Sequence, residues 1–173
     1  LPAVSDVKVG ELEKLGADDE DFTITFYGGE PLLEIERITE VMDNLNAEFM
    51  LQTNAQMLER LSAEYVNRLS TIFVSIDGSR QHTDERRGRG VYDKIVKNIS
   101  HVISHGFEGE IIARMTVDET CDIFSEVVYL YENKDYSFKN IHWQIDAQFF
   151  GADYCKREFK RWVDESYNPG ISN

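Results

Sequence analysis

Four times along this chain a short run with two-residue alternation gives way to a stretch with helical spacing. The pairs are 22–27 then 31–46, 48–53 then 59–69, 71–77 then 91–105, and 110–117 then 122–133; a fifth strand-like run follows at 140–146. Strand and helix in strict alternation imply a parallel sheet with helices packed outside it. Successive side chains of a strand point to opposite faces, so each run also reports what its two faces meet. Phe22, Ile24 and Phe26 oppose Thr23, Thr25 and Tyr27. Phe49 and Leu51 oppose Gln52 and Asn54, and Ile72, Val74 and Ile76 oppose Ser75 and Asp77. Ile111, Ala113, Met115 and Val117 oppose Arg114 and Thr116; Ile141, Trp143 and Ile145 oppose His142, Gln144 and Asp146. Helices on both sides of a flat sheet would demand apolar residues throughout. One polar face instead predicts a curved, partly closed α/β barrel whose polar lumen holds a ligand.

The first strand runs into Gly28-Gly29-Glu30-Pro31. Two glycines let a ligand lie against main chain that any Cβ would block, and Pro31 suits a first helical position, where its missing N–H costs nothing. Glu30 is the charged group at that corner. With free strand-end carbonyls it would hold a ligand ammonium better than the positive end of a helix could. An ordinary βα turn is the bland alternative.

At 173 residues and 42% apolar content the chain is long enough for one domain with a sizeable core. A net charge of −14 opposes non-specific nucleic-acid binding. The imbalance is uneven: residues 1–50 hold thirteen acids against three bases, whereas 80–101 hold six bases against three acids. Gly78 to Gly90 reads as a polar loop, functional or mobile, in which His82, Asp84, Arg86 and Arg87 form internal salt bridges or support acid-base or anion-binding chemistry. No apolar run approaches the ~20 residues of a membrane span, and no signal peptide is present, so a cytoplasmic location is expected. Cys121 and Cys155 are too few for a disulfide framework or zinc site and read as small buried residues. His101 and His105 share a helix face at metal-ligand spacing, but nothing completes a site.

Arg114 interrupts Ile-Ile-Ala-Arg-Met-Thr-Val. A guanidinium there needs an anion, and a ligand carboxylate or an internal pair with Asp77 or Asp146 would serve equally. Ser75 and Asp77 share a face at a strand end and can bond a sugar diol or form a turn. Thr53-Asn54 ends the preceding strand as a turn, a cap or a ligand contact.

Taken in order, Phe26-Tyr27-Gly28-Gly29-Glu30-Pro31-Leu32-Leu33, Gln52-Thr53-Asn54, Val74-Ser75-Ile76-Asp77-Gly78, the His82–Gly90 loop and Ile112–Val117 resemble the radical S-adenosylmethionine (radical SAM) superfamily. The resemblance is closest to its subgroup with a C-terminal SPASM extension, which includes peptide maturases and anaerobic sulfatase-maturating enzymes. It covers about residues 20–146, and Trp162–Ile171 is similar to the region after the barrel. The resemblance implies a partial (β/α)6 barrel, here about five parallel strands over residues 1–146, with a post-barrel helical region at 147–173. It also implies S-adenosylmethionine across the strand ends, chelating a [4Fe-4S] cluster and cleaved reductively to a radical that modifies a peptide or protein. Gly28, Gly29, Glu30 and Pro31 would then hold the methionyl amine, with Asn54 at the neighbouring strand end; Ser75 and Asp77 would meet the ribose, and Arg114 the methionyl carboxylate.

Two departures matter. Ala55 stands where the family has glycine, which suggests a less strained turn. The cluster-binding Cys-x-x-x-Cys-x-x-Cys motif is absent, and Cys121 and Cys155 cannot replace its three thiolates. The chain therefore reads as an inactive piece of a radical SAM enzyme, with the first strand and cysteine motif expected roughly 15–30 residues upstream of Leu1. The rival readings are a non-catalytic SAM- or peptide-binding module and an acidic interaction domain. A missing first strand would leave an edge beside 22–27, which predicts edge pairing or a dimer.

Overall fold

The structure, a computed structural model, describes residues 8–16, 22–119 and 121–146. The expectations for 147–173, including Cys155 and Trp162–Ile171, lie outside the described residues. In chain order the elements are α1 (Val9–Gly16), β1 (Thr23–Phe26), a 3-10 turn at Pro31–Leu33, α2 (Ile35–Asn44), β2 (Glu48–Thr53) and a 3-10 turn at Leu58–Arg60. There follow α3 (Ala63–Val66), β3 (Leu69–Ser75), α4 (Arg80–Arg87), α5 (Val91–Ser104), β4 (Glu110–Val117), α6 (Ile123–Glu132) and β5 (Asn140–Ile145). The strands form one parallel sheet in the order β1-β2-β3-β4-β5. This is the five-stranded, barrel-like α/β sheet with outer helices that the alternation predicts.

The apolar faces make the core. Phe49, Leu51, Ile72, Val74, Ile76, Ile111, Ala113, Met115 and Val117 are buried together with Ile38, Val41 and Met42 of α2, Ile95, Ile99 and Val102 of α5, and Leu130 of α6. In α5, Ile95, Ile99 and Val102 follow i, i+4, i+7 spacing, so one stripe of the helix enters the core. Removing each such side chain from water contributes about 1.5–3 kcal/mol.

The opposite face is graded rather than uniformly polar. Gln52, Phe73, Ile112 and Asn140 share one row of Cα partners, and Ser75, Arg114 and His142 share the row two residues nearer the carboxyl ends. Met50, Phe73 and Ile112 are half-buried, so the middle of the inner face is apolar and its polar groups crowd toward the mouth.

Several boundaries depart from the sequence reading. The expected helix over 31–46 is broken at Glu34, whose φ of −116° and ψ of 50° separate a proline-led 3-10 turn from α2. The expected helix at 59–69 shrinks to a 3-10 turn and the four residues of α3. Residues 80–87 form a helix where a loop was expected. Ser79 Oγ caps it by accepting from the His82 amide, and Gly88 at φ 114° ends it. Asp84 then joins α4 to α5: its carboxylate accepts from the backbone amides of Gly90 (2.7 Å) and Tyr92 (2.9 Å). The first four amides of an α-helix lack an intrahelical acceptor, and here the preceding helix supplies one for the amides of Gly90 and Tyr92.

Candidate functional site

The corner after β1 is held by Glu30. One of its oxygens accepts from the Leu32 amide at 3.1 Å and the Thr53 hydroxyl at 2.7 Å; the other accepts from the Asn54 amide at 2.8 Å. The carboxylate therefore caps the Pro31 turn and ties the end of β1 to the end of β2. Gly28 and Gly29 make a different contribution. Neither adopts a positive φ, and a Cβ built on either meets no atom within 4 Å. Nothing in the fold of the described residues requires glycine there, and the open space before their backbone is what an added side chain would occupy.

The turn after β2 corrects one expectation. Ala55 sits at φ 57°, so the strained left-handed turn is kept although the residue is not glycine. Three bonds hold it there: Thr53 Oγ1 accepts from the Ala55 amide (3.0 Å), Asn54 Oδ1 accepts from the Gln56 amide (2.9 Å), and the Ala55 carbonyl accepts from Asn98 Nδ2 (2.8 Å). They offset a left-handed penalty of about 1–2 kcal/mol.

Arg114 lies on the inner face, in register with Ser75 of β3 and His142 of β5. Its two terminal nitrogens donate to the side-chain oxygens of Gln52 and, at 2.6 Å, Gln144. The guanidinium carbon is 5.7 Å from the centroid of the exposed Tyr27 ring. Its Nε is buried without a partner. The internal pair weighed from the sequence does not form: among the described residues Asp77 and Asp146 pair with other arginines.

Those arginines come from α4. Asp77, 1% exposed, lies 2.7 Å from Arg87 Nε and 3.7 Å from Arg86 Nε, and its carboxylate also accepts from the Thr116 amide at 2.9 Å. Arg86 reaches Asp118 and Asp146 as well. Three aspartates at the ends of β3, β4 and β5 are thus gathered under one polar helix. Asp77 is committed to this network, whereas the half-buried Ser75 side chain makes no hydrogen bond among the described residues. Thr83 Oγ1 accepts from the Asp77 amide, and Glu126 accepts from the Ser79 amide and hydroxyl, fixing the start of α4.

Gly28, Gly29, Asn54 and Ser75 therefore stand at the carboxyl ends of neighbouring strands, Arg114 lies within β4 in register with Ser75, and Glu30 and Asp77 are turned inward as braces. The His101 and His105 rings lie 4.1 Å apart, tilted by 37°, on an exposed helix end. Among the described residues no three His, Cys, Asp or Glu side chains are placed to hold a metal ion together. His82 is half-buried, with Nε2 buried and unpartnered. Sequence reasoning missed Gln52 and Gln144 as partners of Arg114; their places on polar strand faces, each one residue before the end of its strand, were the available signal.

No family model matches the sequence, and no curated protein matches it. Solved structures do. One of anSMEcpe with bound AdoMet superposes with a TM-score of 0.67 at 15% identity, over 94% of this chain and 50% of that one. Structures of anSMEcpe with AdoMet and the Kp18Cys or Cp18Cys peptide give TM-scores of 0.65 and 0.66 at 17% and 16% identity, covering 95% and 93% of this chain and 53% and 52% of those. The likeness is one of fold, and the chain spans about half the length of the structures it matches.

Proposed function

We propose that this chain forms the S-adenosylmethionine-binding face of a radical SAM enzyme that modifies a peptide or protein. The observation that carries this is Arg114: a guanidinium on the inner face of a parallel sheet, level with the strand ends, with no carboxylate partner among the described residues. Ligands of open α/β sheets bind at the carboxyl ends of the strands. The methionyl group carries a carboxylate for Arg114 and an amine for the carbonyls of the Gly28-Gly29 corner, where open space lies before the backbone. Ser75 has a free hydroxyl for the ribose, and Asn54 flanks it; Asp77 acts by holding the β3 end in place. The fold shared with anSMEcpe, solved with AdoMet and peptides, supports both the cofactor and the peptide class.

The residues present do not fit the [4Fe-4S] cluster of that superfamily. Such a cluster needs thiolates. The sequence has two cysteines, and the Cys121 thiol is pushed up to about 11 by burial, then by Glu126 and Asp118. It stays protonated at neutral pH. This chain by itself therefore binds and orients, and the reductive chemistry requires cysteines it does not contain.

Isothermal titration with S-adenosylmethionine tests the reading. Binding is expected for the wild type, with Arg114→Ala weakening it about 10- to 100-fold through loss of a charge-assisted hydrogen bond. Absence of wild-type binding, or equal affinity of Arg114→Ala, would refute it.

A further inference from the structure

We infer that Gln52 and Gln144 are positioning residues that hold the Arg114 fork without neutralising it, which makes the site selective for ligands bearing an α-amino-acid carboxylate. This rests on the reading of Arg114 as the methionyl-carboxylate contact.

A buried or half-buried arginine is ordinarily stabilised by an acid, and that acid would compete with any anionic ligand. Here the two terminal nitrogens meet side-chain amide oxygens, from Gln52 on one side and Gln144 on the other. A neutral carbonyl satisfies an N–H donor and fixes the plane of the fork, yet leaves the full positive charge in place. The Tyr27 ring adds attraction for the cation, again without an anion. The row neighbours Ser75 and His142 contribute no carboxylate. Asp77 and Asp146, the acids on the same faces, are drawn off by Arg86 and Arg87 of α4. Two arginines thus occupy the acids that would otherwise quench a third. The result is a cation whose orientation is set before a ligand arrives, and preorganisation of this kind raises affinity by lowering the ordering cost of binding.

Glutamate in place of either glutamine separates this role from a merely structural one. Glu keeps the length and an acceptor oxygen, so a structural clamp tolerates it and suffers more from Ala. A charge-preserving clamp does the reverse. The test is titration of the chain with S-adenosylmethionine and with its decarboxylated analogue, for wild type, Gln144→Ala, Gln144→Glu and Gln52→Glu, each checked for folding by thermal melting. Wild type is expected to prefer S-adenosylmethionine by about 10- to 100-fold. Gln144→Ala keeps most of that preference at reduced affinity. Gln144→Glu and Gln52→Glu abolish it while leaving the decarboxylated analogue bound as before or better. A Glu variant that keeps the wild-type preference, or an Ala variant that loses more of it than Glu, overturns the inference and leaves the Arg114 contact standing. Failure of the wild type to bind S-adenosylmethionine overturns both, and is distinguishable because no preference is then measurable.

Discussion

Removing the acceptor at the Gly28–Pro31 corner is expected to destabilise the whole chain. Glu30→Ala leaves three donors without their partner: the Thr53 hydroxyl and the Leu32 and Asn54 amides. Thr53 is 2% exposed, so water cannot replace its acceptor, and an unsatisfied buried donor costs about 1–3 kcal/mol. The two amides lie in a half-buried corner and add roughly 0.5–1 kcal/mol each. The expected loss is about 2–5 kcal/mol, which for a chain of this length lowers Tm by about 4–20 °C. Glu30→Gln is the sharper variant. Its amide nitrogen must face either the Asn54 N–H or the Leu32 and Thr53 donors, so it keeps the shape and still loses about 1–2 kcal/mol. Equilibrium urea unfolding followed by circular dichroism measures both, and a cycle with Thr53→Val isolates the shared bond. Coupling of about 1 kcal/mol or more is expected. A Glu30→Ala loss below about 0.5 kcal/mol, or zero coupling with Thr53, would refute the brace assigned to this carboxylate.

Two glycines should respond in opposite ways to alanine. Gly29→Ala is expected to leave stability within about 0.5 kcal/mol while weakening S-adenosylmethionine binding, because its Cβ meets nothing in the chain. Gly78→Ala, at φ 119° and with its Cβ driven into the Glu126 side chain, should lose more than about 2 kcal/mol in the same unfolding assay; equal stabilities of the two variants would count against both. Asp84 gives a pH signature. Backbone bonds from Tyr92 and then Gly90 lower its pKa below 3.8, so its stabilisation is complete above the unfolded value and is lost as pH falls through the folded one. The difference in urea midpoint between wild type and Asp84→Asn should shrink between neutral pH and about pH 3; a constant difference would disprove the linkage.

The sheet was readable in the sequence because each strand alternates and only one of its faces enters the core. Phe73 and Ile112 blurred that pattern, since the inner face is apolar at mid-depth and polar only at the mouth. α4 was not readable. Arg80 to Arg87 are polar all round, and the helix forms because Asp77, Asp118 and Asp146 from three separate strands meet Arg86 and Arg87. No local period encodes contacts of that range. The candidate residues at the strand ends were legible from alternation, yet their division of labour was not. Whether Asp77 faces a ligand or a helix depends on where α4 packs, and whether Arg114 pairs with an acid depends on which acids α4 has already taken. Ala55 shows the same limit on a smaller scale, since its left-handed turn is enforced by Asn98 from a helix 43 residues away.

The uneven wiring of the mouth bears on how such a chain would decay over generations. A descendant relieved of its chemistry would still be selected to fold, and folding alone is sufficient reason to keep Glu30, Asp77 and the arginines of α4. Gly28, Gly29 and the bare charge of Arg114 have no such protection, because a Cβ at either glycine meets nothing and, among the described residues, no acid pairs with Arg114. In related chains, drift at those three positions beside an intact Glu30 would mark a scaffold that has outlived its ligand, and their joint retention would mark one still under selection to bind it.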